Sequence, residues 1–457
     1  MMTKRSYANV IGLIALGIAV NLTAGVATRG EDLQQAWQMA LSANPQLRAA
    51  RFNSGAAGLN SSAARRDLLP TGQNVTADLQ LSQVPTINSS QGGGFQFPLL
   101  GSQTNIPLSL TSISQPIYAG GRIRNGIDQA DAQYGQQRAE QIRTALDLKL
   151  NVAETYVGVL QARRDLDVAK SNLSRLQSFL ADVKNRKRVG MATRNEELAA
   201  EVSLANARLR EIQGRNEVYT AWARYNRYLM QPLDRIVPLE EVSVPRGEGS
   251  VEGLTHRALR VRPEFATLDD QEIAALTSQA VRRRPELASL SQQARALRAQ
   301  AQVTRSGVRP QVNLNGAYIY FGDNSLSNQN IWAATATINW KFFDGGASRR
   351  RAQALEQQQR AVMQQRADAA AGVALEVRTR WLDLDEARQR VAVSKVAIDQ
   401  AEENMNVVQD RYREQLSTYT EVLDAENQRV EAYANFYRAT YDEALAFFRL
   451  RRAVGDL

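Results

Sequence analysis

The stretch VAETYVGVLQARRDLDVAKSNLSRLQSFLADVKNRK, residues 152–187, decides the fold. Val152, Val159, Leu166, Leu173 and Leu180 recur every seven residues, and Thr155, Ala162, Ala169, Leu176 and Val183 follow three places on. A sustained seven-residue repeat implies helices that coil left-handedly around neighbours, and the small residues of the second set allow close approach. The pattern returns later in the chain. Val377, Leu384, Val391, Ile398, Met405 and Tyr412 take the first position, with Arg380, Ala387, Ser394, Ala401 and Val408 in the second. All twelve prolines lie outside 117–231 and 311–457, and a proline inside a helix costs about 3 kcal/mol. Both spans are therefore free to be helical. A helix over 122–187 would run ~99 Å at 1.5 Å per residue, far longer than a globular domain needs.

Sliding the sequence on itself shows a duplication. ANPQL (43–47) faces RRPEL (283–287), and Pro70 faces Pro310; further on, Gly120-Gly121 faces Gly345-Gly346, and Leu198/Glu201 faces Leu423/Glu426, 225 residues apart. The offset changes within the Gly/Ser-rich stretch 84–104, which reads as an insertion. The expected division is a first repeat over 28–230, a linking segment over 231–279, and a second repeat over 280–457. The link contains Pro232, Pro238 and Pro245, and LTHRALRVRPE (254–264) echoes LTSQAVRRRPE (276–286). Each repeat reads as a short helix, two strands, a very long helix, a turn and a return helix. The long helices are expected over 122–187 and 347–413, with return helices over 194–230 and 419–453.

The strands show a different period. In QVNLNGAYIYF (311–321), Val312, Leu314, Gly316, Tyr318 and Tyr320 alternate with Gln311, Asn313 and Asn315. In 333–343, Ala336, Ile338, Trp340 and Phe342 alternate with Thr335, Thr337, Asn339 and Lys341. The first repeat offers strands near 73–83, with Val75, Ala77 and Leu79 on one face, and near 105–117, where the apolar face changes as at a bulge. Strands of about ten residues, apolar outside and polar inside with aromatics near their ends, fit a membrane barrel, which takes at least about eight strands. A β-sandwich sheet fits the strand pattern equally well; the leader described next and the lack of further strands favour the barrel. Four strands per chain then require copies to combine, and three copies supply twelve.

Composition narrows the chemistry. The chain has 457 residues, 44% of them apolar, no cysteine and one histidine. Disulfides, thiolate metal sites and cysteine nucleophiles are excluded, and a Ser-His-Asp arrangement would hang on His256 alone. His256 stands beside Arg257 with no second ligand at a metal-binding spacing. Gly92-Gly93-Gly94 lacks the Lys-Ser/Thr of a phosphate loop. The net charge of +9 is spread along the chain without the clustered basic, aromatic face of a nucleic-acid binder. No enzyme, cofactor, metal or nucleic acid is expected. Lys4 and Arg5, then an apolar run over 8–20 ending in small residues at 24–27, read as a secretory signal over 1–27. The run is too short to span a bilayer as a helix.

Together with the turn sequences RVGMATRNEELAAE (188–201) and YREQLSTYTEVLDAE (412–426), this layout resembles the TolC-like outer-membrane factors over essentially the whole mature chain. The resemblance implies a mainly α chain with a membrane β-barrel. It implies a homotrimer whose twelve-stranded barrel sits in outer-membrane lipid above a coiled-coil periplasmic tunnel. It also implies a periplasmic adaptor and an inner-membrane transporter of RND or ABC type, in drug efflux or type I protein secretion. A structural or adhesive coiled-coil protein on an oligomeric barrel is the alternative, and it would not need acids at its inward tips.

By motif position, the resemblance makes Glu421 and Asp424 the paired acids of a periplasmic gate. Glu196 and Tyr412 match groups linking neighbouring hairpins when the gate is closed. Three chains would bring six carboxylates to one mouth, a cluster that attracts cations. Ser417 departs from the arginine of better-known members, so a closing salt bridge there is not implied. Val189, Gly190 and Met191, with Gln415, Leu416 and Ser417 at the second turn, are expected to meet the adaptor. Gly190 suits a positive φ, whereas Glu414-Gln415-Leu416 has no glycine, which leaves a differently built second tip or a weaker contact open. Tyr318, Tyr320, Trp332, Trp340 and Phe342 are expected as membrane-interface aromatics, alongside Phe343.

Overall fold

The structure, a computed structural model, describes residues 30–81, 104–242, 268–322 and 329–457. The leader, Gly92-Gly93-Gly94, His256 and most of the linking segment lie outside these residues. The chain is mostly helical. α1 (Leu33–Ala43) and α2 (Pro45–Arg66) lead into β1 (Thr71–Leu81) and β2 (Thr104–Tyr118). α3 (Arg122–Arg188) and α4 (Arg194–Leu229) follow as one long hairpin. α5 (Leu268–Arg283) and α6 (Pro285–Ser306) then precede β3 (Gln311–Phe321) and β4 (Asn330–Asn339), and α7 (Ala347–Arg413) with α8 (Tyr419–Val454) forms the second hairpin. α3 and α7 are both 67 residues long and α4 and α8 both 36. Residue 279, where the linking segment was expected to end, falls inside α5. The break comes instead at Arg284-Pro285, where proline occupies the first turn of α6 because that position needs no intrahelical N–H.

Each long helix starts from a pair of glycines. Gly120 and Gly121 have φ of 62° and 89°, and Gly345 and Gly346 have 63° and 83°. Two successive left-handed residues turn a strand into a helix, a path that side chains with a Cβ resist. At the strand end of the bundle, α2 and α6 flank α3, and α7 packs on α6. Towards the tips, α4 packs on α3, α8 on α7, and α3 on α8. The seven-residue stripe is buried there: Val152, Val159, Ala162, Leu166, Leu176 and Val183 of α3, and Val377, Leu384, Ala387 and Met405 of α7. Near its middle, α3 joins α1, α4 and α8 in an aromatic core of Tyr156, Trp222 and Tyr225, whose rings meet edge to face at 5.8 Å. The segment at Glu31 is pinned over this core, with its main chain bridged to Leu239 and its carboxylate accepting from Arg235 at 2.8 Å.

Among the described residues four strands form one antiparallel sheet in the order β1-β2-β3-β4, with β1 and β4 at its edges. Two features differ from the expectation. β4 ends at Asn339, where Gln311, the first residue of β3, supplies its last partner. Trp340, Phe342 and Phe343 therefore follow the strand instead of belonging to it. The register also pairs Thr111 with Tyr318 and Leu110 with Ile319. Val75, Leu108 and Leu110 thus share a face with Ile319 and Phe321, while Leu314, Tyr318, Tyr320, Trp332 and Ile338 take the opposite face. The apolar sets of the two hairpins do not line one common side, because side-chain direction has period two and the β2–β3 seam alone sets their relative parity. The irregularity of β2 lies between Pro116 and Tyr118, leaving Ile117 as the extra residue.

Candidate functional site

The tips of the two hairpins collect most of the residues singled out from the turns. Each is built from two capping devices joined by a few residues. At the first tip, Gly190 has φ of 79°; its N–H reaches Lys187 O at 3.0 Å, and the Met191 N–H reaches Arg186 O at 2.8 Å. This is a Schellman closure of α3. At the second, Gln415 has φ of 63°, with its N–H on Tyr412 O at 3.1 Å and the Leu416 N–H on Arg411 O at 2.8 Å. The second tip is therefore built like the first, with glutamine in the left-handed position that Gly190 fills. The missing glycine does not mark a different turn.

The chain then restarts as a helix through a capping box. The Thr193 hydroxyl accepts from Glu196 N, and the Glu196 carboxylate accepts from Thr193 N, both at 3.2 Å. Thr418 and Glu421 repeat this, with the Glu421 carboxylate taking the Thr418 N–H at 3.2 Å and its hydroxyl at 3.1 Å. Glu196 and Glu421, singled out for a linking and a gating role, thus both serve within their own chain as helix caps. Asp424 lies one turn beyond Glu421 on the same exposed face of α8. Its counterpart in the first repeat is Ala199, so the acid pair belongs to one tip.

Beneath matching backbones the side chains differ. Lys187, Arg194 and Glu197 form a cluster in which both cations bind the buried Glu197 carboxylate. These two hydrogen-bonded cations hold the Glu197 carboxyl below the usual carboxylate range. The three positions 225 residues later are Tyr412, Tyr419 and Val422. There the two rings pack at 5.9 Å, and Tyr419 and Val422 are buried with Val183, Ala200 and Met405. Arg186 joins the hairpins: its guanidinium lies 4.7 Å from the Tyr412 ring centre and donates to Tyr412 O at 3.3 Å. The Tyr412 hydroxyl is buried and has no hydrogen-bond partner among the described residues. Its pKa is raised, first by burial and then by the nearby Glu196 charge. Ser417 donates to Val408 O at 3.3 Å and makes no ion pair.

Sequence reasoning missed Arg186, the Glu197 cluster, and a buried pair one turn past Asp424. In that pair Arg429 holds Glu426 through two bonds of 2.8 and 3.0 Å, with both side chains almost fully buried. The two Thr-x-x-Glu runs, TRNE (193–196) and TYTE (418–421), were the legible sign of the caps. The tip residues Val189, Met191 and Leu416 are 60–68% exposed and lack apolar neighbours to cover them. At the sheet, the Tyr318 ring packs against Trp332 at 4.6 Å with a 42° tilt, and its hydroxyl donates to Asn330 at 2.6 Å. Trp340 donates to Val308 O at 3.2 Å, beside Phe342. Among the described residues no His/Cys/Asp/Glu group is placed to hold a metal, and no helix is long and apolar enough to cross a membrane.

Known proteins share this layout. Over 446 residues the chain is 22% identical to the outer membrane protein TolC of Vibrio cholerae serotype O1, covering 95% of this chain and 93% of that one. It is 26% identical over 220 residues to the outer membrane efflux protein BepC of Brucella suis biovar 1, a match spanning 48% of this chain and 45% of BepC. The fold superposes on the channel CusC with a TM-score of 0.76 at 16% identity, over 99% of both chains. The outer membrane efflux protein profile matches residues 36–229 and 276–456, and the chain belongs to that family of outer-membrane channels.

Proposed function

We propose that the chain is the exit channel of a tripartite efflux pump or type I secretion system, working as a homotrimer in the outer membrane. An inner-membrane transporter of RND or ABC type would load it through a periplasmic adaptor. The observation that carries this reading is that, among the described residues, the protomer leaves strand edges and apolar helix faces unpartnered. β1 and β4 leave two unpaired sheet edges, which natural proteins close or cover. Beyond the sheet, α4 exposes Leu198, Val202, Leu209, Ile212 and Tyr219, and α7 exposes Leu375, Leu382, Val393, Val396 and Val407. On both helices these residues keep the seven-residue spacing of a coiled-coil seam. Three copies, each setting α4 against the neighbour's α7 and β1 against its β4, close a twelve-stranded barrel and a helical tunnel together.

In this assembly the tips face the transporter. Asp424, with Glu421 one turn before it, forms the acidic mouth, and Glu196 and Tyr412 lie where one hairpin meets the next. Val189, Met191 and Leu416, with Gly190, Gln415 and Ser417, form the surface offered to the adaptor. Because Glu421 also caps α8, Asp424 is the acid freer to act on passing ions. The test is single-channel conductance of the purified protein in planar bilayers, comparing the parent with Glu421→Ala/Asp424→Ala and with Asp424→Asn alone. The expected parent conductance is small and cation-selective, and both variants lose selectivity or conduct more. Variants identical to a conducting parent would remove the gate, and an assembly that does not cross-link as a trimer would remove the channel reading.

A further inference from the structure

The junction between sheet and helices is strongly basic, and the channel itself does not require it. α2 ends at Arg65-Arg66 five residues before β1, and α3 begins with Arg122 and Arg124, the first of them four residues after β2. α6 ends beside Arg305, with Arg309 next to β3, and α7 opens with Arg349-Arg350-Arg351. All four strand ends thus meet arginines at one level of the molecule.

Several of these cations form no ion pair among the described residues. Arg65 pairs with Asp131 and Arg305 with Glu356, each at 2.7 Å. Asp344 is spent on the N–H groups of Gly346 and Ser348 at the start of α7, both at 2.9 Å. Arg66, Arg122, Arg124, Arg349, Arg350 and Arg351 are exposed and form no ion pair among the described residues. Five of these six sit in the opening turns of α3 and α7, where the helix dipole disfavours positive charge and neither helix has an acid in its first turn. Successive helical residues are about 100° apart. Arg122 and Arg124 therefore point to opposite sides of α3, and the run 349–351 sweeps more than half of α7. Whichever side faces outward, both helices bring a cation to it.

Immediately beside the arginines, at the strand ends, lies exposed apolar and aromatic surface. Trp340 is 57% exposed, Phe342 81% and Phe343 77% at the end of β4, and Tyr118 at the end of β2 and Leu69 before β1 are exposed as well. A band of amphipathic rings bordered by unpaired cations is how a protein meets a membrane interface with anionic headgroups. We propose that this arginine collar binds the phosphate groups of anionic phospholipids in the periplasmic leaflet of the outer membrane. The inference rests on the outer-membrane reading and extends it: the bilayer's charge, as well as its thickness, seats the channel and offsets a repulsion built into α3 and α7.

The experiment uses the full chain in a Trp332→Phe background; of the four tryptophans left, Trp37, Trp222 and Trp381 pack among the helices, so short-range quenching from the lipid reports Trp340. It is reconstituted in phosphatidylethanolamine vesicles carrying a minor fraction of brominated phosphatidylglycerol or, separately, of brominated phosphatidylethanolamine. Each cation near an anionic surface gives roughly fivefold local enrichment. Brominated phosphatidylglycerol should therefore quench Trp340 several-fold more than the zwitterionic lipid, and raised sodium chloride should shrink the difference. Arg349→Gln/Arg350→Gln/Arg351→Gln should reduce it several-fold. Equal quenching by the two lipids, or a preference unchanged in that variant, overturns this proposal alone. Loss of the preference to inorganic phosphate but not to chloride of equal ionic strength assigns the collar to free phosphate and overturns the lipid source. Quenching by neither lipid overturns the membrane reading as well. Should the variant fail to assemble, the two-lipid comparison and salt titration on the parent still decide.

Discussion

Exchanging the left-handed residues of the two tips should move their stabilities in opposite directions. A residue with a Cβ pays about 1–2 kcal/mol for the left-handed conformation, and Gln415 holds it at φ of 63°. Gln415→Gly removes that strain but restores about 0.4–1 kcal/mol of freedom to the unfolded segment. The net expected gain is ~0.5–1 kcal/mol, or up to about fivefold in the opening equilibrium. Gly190→Gln does the reverse. A Cβ added at Gly190 would meet nothing within 4 Å, so its cost is conformational and not steric. The readout is amide exchange at Leu416 and Met191, whose N–H groups bond Arg411 O and Arg186 O at 2.8 Å. Those bonds close the Schellman turns, so they open when residue 415 or 190 leaves the left-handed region. Exchange at Leu416 should slow in Gln415→Gly, and exchange at Met191 should quicken in Gly190→Gln. Gln415→Ala should match the parent, because any Cβ carries the same strain. Unchanged exchange in both variants, or shifts of one sign, would refute the argument that the tips share one backbone.

Truncating Glu426 or Arg429 alone should cost about 3–5 kcal/mol, because each leaves a buried charge unpaired, while Glu426→Met/Arg429→Leu together should recover most of that; denaturant unfolding of the purified protein measures all three. For the first tip, the lowered pKa of Glu197 fixes the sign of a pH effect. A depressed folded pKa means that the contribution is complete above the ordinary glutamate value of about 4.3 and is lost as pH falls through the folded value. Protection from exchange over residues 187–197, taken relative to the intrinsic amide rate at each pH, should therefore fall below about pH 4, and Glu197→Gln should abolish the part of that change due to the ion pairs.

Much of the fold was legible because long helices declare themselves twice, through excluded proline and through a period that packing makes necessary. The ends of β4 were not. Alternation runs on through Trp340 and Phe342, but pairing stops at Asn339 because β3 has no residue left to offer before Gln311. A strand ends where its partner ends, and periodicity in one segment carries no record of the other. The same limit hid the parity of the two strand hairpins, which a single register across β2 and β3 decides. Of the candidate site, the two turns were legible as turns, while two of its acids, Glu196 and Glu421, prove to cap helices within their own chain.

The tips separate what the duplication keeps from what it exchanges. Both keep a Schellman turn followed by a capping box, although at Gln415 this requires a conformation that glycine adopts more easily. Beneath that frame, Lys187, Arg194 and Glu197 give way to Tyr412, Tyr419 and Val422, and Ala199 gives way to Asp424. Where tip one has an ion-pair cluster that weakens in acid, tip two has buried rings in its place. Neutralising Glu197 should loosen the first hairpin without moving Asp424 of the second. An acid-induced rise in conductance that survives Asp424→Asn but disappears in Glu197→Gln would place the moving element at the first tip. A rise that disappears only in Asp424→Asn would place it at the acid itself.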